Sequence, residues 1–191
     1  MAEVEIEGVA PLLMHNIQLV NPLNEWTQKI KAVTAKKTGK TDGDLKKLQE
    51  YEFQGGLYFD DKEGPYIPAV NIEGLIRDGA RISSKGKTIE SGLQVEPQVI
   101  PLKYKGPRKR DGLFKKKEFI DTRGVKLRGK AIMRTRPRFE KWSLSFKIMI
   151  IDEIAAQNDI MRYLQKAGMV KGLGDFKPRF GRFIVKKFEW V

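Results

Sequence analysis

The chain has 191 residues, a formal net charge of +13, one histidine and no cysteine. That length gives room for a packed core. The missing cysteine excludes disulfides and thiolate metal sites, the lone His15 leaves almost nothing for imidazole ligation, and no apolar run is long enough to span a bilayer. The acidic, alternating N-terminal stretch is unlike a secretion signal, so a cytoplasmic location and no membrane partner are expected. Between Lys103 and Lys147 stand 17 Lys and Arg against 4 Asp and Glu. The rest of the chain is neutral, and so localised a surplus points to a polyanion partner.

In chain order, Val4 and Ile6 alternate with Glu3, Glu5 and Glu7, which predicts a half-buried strand. Two helical stretches follow, about Asn24–Lys37 and Asp42–Phe53, with Asp42 or Asp44 expected to cap the second. Polar and lysine-rich, the segment near residues 20–55 reads as a helical insertion. Tyr58-Phe59 and Tyr66-Ile67 flank a "DDKEG" turn and predict a short hairpin. From Pro68 to about Gly86 a stripe of Ile72, Leu75, Ile76 and Ile82 predicts a helix. Its internal Gly74 and Gly79 suggest close approach to a neighbour.

"LQVEPQVIPLKY" reads as a proline-broken edge strand, and about 103–124 as a mobile basic loop. Alternation over Val125–Arg134 predicts one strand with a cationic face, turning at "TRPRFEK" into a strand over 142–150. A helix over about Glu153–Lys166, capped by Asp152 and burying Ile154, Ile160, Met161 and Leu164, comes next. A glycine-rich loop, "GLGDFKPRFGRF", leads to a last strand, "RFIVKKFEW".

This order is βαββαβ, so the expected fold is α+β: one ferredoxin-like, RRM-like domain over 1–191, with an antiparallel sheet, the helical insertion and the basic loop. The candidate nucleic-acid-binding residues are Lys126, Arg128, Lys130 and Arg134 on the cationic strand, with Arg136 and Arg138 in the turn after it. In the loop they are Gly172, Gly174, Phe176, Lys177, Arg179 and Arg182. Cations neutralise phosphates, the glycines permit positive φ and close backbone approach, and aromatics interleaved with cations (Tyr104, Phe114, Phe139, Phe176) suit base stacking. No nucleotide-binding or nucleophile motif stands in the required context, so no cofactor and no catalytic residue are expected.

Two stretches resemble the RAMP superfamily, the RNA-binding backbone subunits of CRISPR effector complexes: "GPYIPAVNIEGLIR" (Gly64–Arg77) and "GLGDFKPRFGRFIV" (Gly172–Val185). "IEGVAPLLMHN" is similar to that family's first strand. The resemblance, to a family member or a phage-encoded relative, implies single-stranded RNA or DNA binding and side-by-side homo-oligomers. Where target-cleaving members carry an aspartate, this chain reads "EFQGGLYF", with Gln54 near that position. Binding without cleavage is therefore the expectation. The alternatives are an RNA-processing endoribonuclease using His15 or Lys/Tyr chemistry, and an assembly protein whose basic face meets an acidic partner.

Overall fold

Four strands that share one sheet come from distant parts of the chain: β1 (Ala2–Gly8), β5 (Leu93–Glu96), β9 (Ser143–Ile150) and β10 (Phe183–Trp190). The computed structural model describes residues 1–36, 38–86, 89, 92–127, 129–151 and 157–191. It is a mixed α+β protein that divides into two compact units. The first comprises Met1–Leu12, Phe59–Lys105 and Phe139–Val191; the second comprises Leu13–Tyr58 and Gly106–Arg138. The short β2 (Leu12–Leu13) lies where the chain passes between them.

In the first unit the sheet order is β10-β1-β9-β5, and every neighbouring pair is antiparallel. Alternation in the sequence decides its two faces. Val4 lies opposite Phe146 and Ile6 opposite Leu144, and all four are buried. Helix α3 (Ala69–Arg81) packs on β5 and on α5 (Gln157–Val170), and α5 packs on β10. Ile72, Leu75 and Ile76 from α3, with Ile160 and Leu164 from α5, complete the core. Each such side chain contributes about 1.5–3 kcal/mol by leaving water. The two helices approach closely because Gly79 has no side chain. A Cβ there would lie 2.1 Å from the Tyr163 carbonyl oxygen. Gly74, by contrast, meets only the end of Arg77, at 3.7 Å.

A second sheet in this unit joins β3 (Phe59–Asp60), β4 (Gly64–Pro68) and β6 (Val99–Pro101). The Tyr58–Ile67 hairpin is present, and Asp60 closes its turn by accepting from the Lys62 and Glu63 amides at 2.9 and 3.0 Å. Those two bonds hold the Asp60 carboxyl below its ordinary pKa. As expected, the "LQVEPQVIPLKY" stretch is broken: β5 ends at Glu96 on the sheet edge and β6 serves the other sheet.

The second unit contains α1 (Glu25–Thr34), α2 (Asp42–Gly56), α4 (Arg110–Phe114), and the hairpin β7 (Ile120–Leu127) and β8 (Lys130–Phe139), whose last residue belongs to the first unit. Asn24 caps α1, its side chain accepting from the Trp26 and Thr27 amides. The cap of α2 is Thr41 rather than Asp42 or Asp44. Thr41 accepts from the Asp44 amide and Asp44 accepts from the Thr41 amide, a reciprocal capping box.

Val125–Arg134 is not one strand: Gly129, at φ 79°, turns the chain, and "TRPRF" continues β8 instead of ending it. The basic stretch 103–124 is not simply a loop, because Leu113 and Phe119 are buried and anchor α4 and a 3-10 turn (Lys117–Phe119). Ile82 and Met161 are 46% and 37% exposed and sit outside the core stripes. Asp152, Glu153 and Ile154, assigned to the start of the last helix, lie outside the described residues, as does Lys37 at the expected end of α1.

Candidate nucleic-acid interface

The charge follows the units. The second unit holds 20 of the 37 Lys and Arg but 8 of the 24 Asp and Glu, a surplus of 12. The first unit holds the other 17 and 16, a surplus of 1. The hairpin and α4 therefore carry their charge within a cationic unit, and the four-stranded sheet lies in a balanced one.

The strand pairing sorts the hairpin side chains into two faces. Asp121 opposes Arg136, Arg123 opposes Arg134 and Val125 opposes Ile132 on one; Thr122 opposes Thr135, Gly124 opposes Met133 and Lys126 opposes Ala131 on the other. The expected candidates do not form a uniform cationic row. Lys126 and Lys130 are exposed near the turn and make no ion pair among the described residues. Arg134 instead forms an ion pair with Glu52 on α2, which is 5% exposed. Glu52 also accepts from the Thr135 amide at 2.8 Å. Arg136 is buried and Arg138 half-buried. Arg123 pairs bidentately with buried Asp121, which holds the guanidinium still more firmly protonated. Arg128 lies outside the described residues. Near the turn the hairpin thus offers charge, and at its base the arginines are engaged within the protein. Met133, 61% exposed, adds an apolar side chain to the Lys126 face.

A cationic element absent from the candidates stands beside this hairpin in the chain. Lys109, Lys115 and Lys117 flank or follow α4, are exposed, and make no ion pair among the described residues. Lys116 has only a 4.0 Å contact with exposed Glu118. The sequence signal was the "KKK" run itself. Its anchors, Leu113, Phe114 and Phe119, looked like isolated apolar residues in a loop.

The C-terminal loop belongs to the first unit. Gly172, Gly174 and Gly181 have φ values of 78°, 80° and 73°, as the sequence suggested for the first two, and Phe176 is also left-handed at 57°. Much of the loop's backbone is engaged internally. The Gly172 amide donates to Ala167 at 2.9 Å, Leu173 to Gly181 at 2.8 Å, and Gly181 to Pro11 at 2.8 Å. Lys177, Arg179 and Arg182 are exposed and make no ion pair among the described residues. Phe176 is 37% exposed and meets Phe180 edge-on, with centroids 6.0 Å apart. The other aromatics expected to interleave with cations are packing residues. Phe139 is fully buried against Tyr104, and Phe114 packs on Phe53 with centroids 5.2 Å apart.

The face of the four-stranded sheet opposite α3 and α5 is not cationic. Glu3, Glu5 and Glu7 line its central strand. Glu3 pairs with Lys147 at 3.6 Å and Lys187 at 3.5 Å. Glu189 and then Glu3 raise the Lys187 pKa. A cavity of about 710 Å³ on this face is lined by both signs, including Glu5, Glu96, Lys147 and Lys187.

His15 is exposed. Among the described residues no group of three or more His, Cys, Asp or Glu side chains could hold a metal ion, and no helix is long and apolar enough to cross a membrane. No protein-family profile matches the chain, and a search of curated proteins finds no match.

Proposed function

We propose that the protein binds single-stranded nucleic acid, without cleaving it, through the cations of its second unit. One observation carries this reading: a surplus of 12 charges confined to one unit, with Lys126, Lys130 and the lysines around α4 exposed. The same cations spread evenly over both units would offer a polyanion no preferred place to bind. Concentrated on one unit, they give it a strong positive field. The loop cations Lys177, Arg179 and Arg182 form a second contact element in the same reading, with the exposed part of Phe176 stacking on a base.

The first unit supports a ferredoxin-like βαββαβ reading. Counting its four sheet strands in chain order, their spatial order is fourth, first, third, second, with α3 between the first and second and α5 between the third and fourth. That arrangement, with the two motif-like stretches, supports kinship with the RAMP superfamily and side-by-side assembly along the ligand. In this reading the ligand does not lie where an RRM holds its RNA, because the sheet face free of helices carries carboxylates paired with lysines and no surplus of cations.

The test is the affinity for labelled single-stranded RNA and DNA oligonucleotides across salt concentrations. Each phosphate neutralised should contribute about 0.7 to the slope of log affinity against log salt. A steep negative slope is expected, with the oligonucleotide recovered intact. A flat dependence would remove nucleic acid as the partner.

A further inference from the structure

Three consecutive residues at the end of α2 each hold part of the basic surface. Glu52 accepts from Arg134 and from the Thr135 amide, and so grips β8 of the hairpin. Phe53, fully buried, packs on Phe114 of α4. The Gln54 carbonyl accepts from Arg110 at 3.1 Å. Neighbouring residues of one helical turn are fixed relative to one another by the helix itself. Two basic elements anchored to that turn cannot move independently while those contacts last.

We propose that the last turn of α2 joins the hairpin and the lysines around α4 into a single phosphate-binding surface, with Glu52 as its positioning residue. This inference rests on the nucleic-acid reading above. Glu52 is a carboxylate inside a cationic unit, and it points inward, 5% exposed, so it does not repel a ligand at the surface. Its charge is matched by Arg134, and its second oxygen is taken by a backbone amide. A buried carboxylate so satisfied sets geometry more than it adds stability. Lys115, Lys116 and Lys117 then contact the same strand of nucleic acid as Lys126 and Lys130, one on each face of the hairpin near its turn. Phosphates gripped by one set raise the effective concentration of the neighbouring phosphates at the other.

The test uses the full chain and labelled oligo(dT) and oligo(U), with affinity measured at several salt concentrations. The variant Lys115→Ala/Lys116→Ala/Lys117→Ala changes only exposed side chains. It should bind at least about tenfold more weakly, with a salt slope shallower by roughly 2. A double-mutant cycle then tests the positioning role: Glu52→Gln, Lys126→Ala/Lys130→Ala, and their combination. Removing the two hairpin lysines should cost about tenfold in the parent and less than about threefold once Glu52→Gln has weakened the ion pair that positions the hairpin. A role of Glu52 in folding alone would lower the melting temperature and leave the cycle additive. An additive cycle, or a triple-lysine variant that binds like the parent, overturns the inference while leaving the function intact. A parent protein that binds neither oligonucleotide overturns both.

Discussion

Gly181 and Gly129 have nearly the same backbone conformation, φ 73° and 79°, and very different surroundings. Nothing lies within 4 Å of a Cβ built at Gly129. At Gly181 the same atom would sit 1.7 Å from the Leu173 carbonyl oxygen and 2.7 Å from the Leu173 nitrogen. Gly129→Ala should therefore cost only the left-handed conformation, about 1–2 kcal/mol. Gly181→Ala carries that cost and also drives the loop apart from its partners. The bonds Leu173 N to Gly181 O and Gly181 N to Pro11 O, both 2.8 Å, are the ones lost. At about 1 kcal/mol each they bring the total to roughly 3–4 kcal/mol before any cost of the displaced backbone. Urea unfolding read by tryptophan fluorescence measures both, because Trp142 is buried in the unit of Gly181 and Trp26 lies in the unit of Gly129. A Gly181→Ala protein within 1 kcal/mol of Gly129→Ala would refute the claim that backbone approach, and not φ alone, requires glycine at that position.

In helix α3, Gly74→Ala should stabilise by roughly 0.5–1 kcal/mol in thermal unfolding, from helix propensity, since its methyl group meets only the end of Arg77 at ordinary contact distance. Gly79→Ala should destabilise by more than that, since its methyl group would meet the Tyr163 carbonyl. Arg179→Ala with Arg182→Ala should leave the melting temperature unchanged and weaken oligonucleotide binding by roughly 1–3 kcal/mol. Lost stability with full affinity would make the loop a structural connection. The Asp44 carboxyl is lowered to about 2, chiefly by Lys36 and then by the Thr41 amide. A depressed carboxylate pKa stabilises the fold above the ordinary Asp value near 3.8, and this is lost as pH falls through about 2. An NMR titration should place the Asp44 midpoint there, and Lys36→Ala should move it upward; an ordinary midpoint in the parent protein would contradict the capping geometry.

The strands with one buried face were legible because alternation is a local signal. Val4 and Ile6 in β1, and Leu144, Phe146 and Ile148 in β9, stand inward as their spacing predicts. The same signal misled at β7 and β8, where alternation runs on through the turn at Gly129 and two strands read as one. The exposure of the basic residues was least legible. Nothing near Arg134 in the chain announces a partner, because Glu52 is 82 residues away. The reverse error occurred around α4, where a lysine-rich stretch looked like a loose loop. Its order comes from Leu113 and Phe119, and from Phe114 meeting Phe53, a residue that sequence distance hides. The glycine loop fell between these cases: positive φ at Gly172 and Gly174 was foreseeable, but the pairing of Gly181 with Leu173 and Pro11 was not.

The uneven division of charge has an energetic consequence for the protein without any ligand. A unit with 20 cations and 8 anions repels itself, and added salt screens that repulsion. The first unit, at 17 and 16, has almost no net repulsion to relieve. Raising ionic strength should therefore firm the cationic unit and leave its neighbour nearly unaffected, while the same salt loosens a bound polyanion. A bound nucleic acid would then act as a structural counterion, supplying at low salt the neutralisation that the second unit's own side chains do not provide.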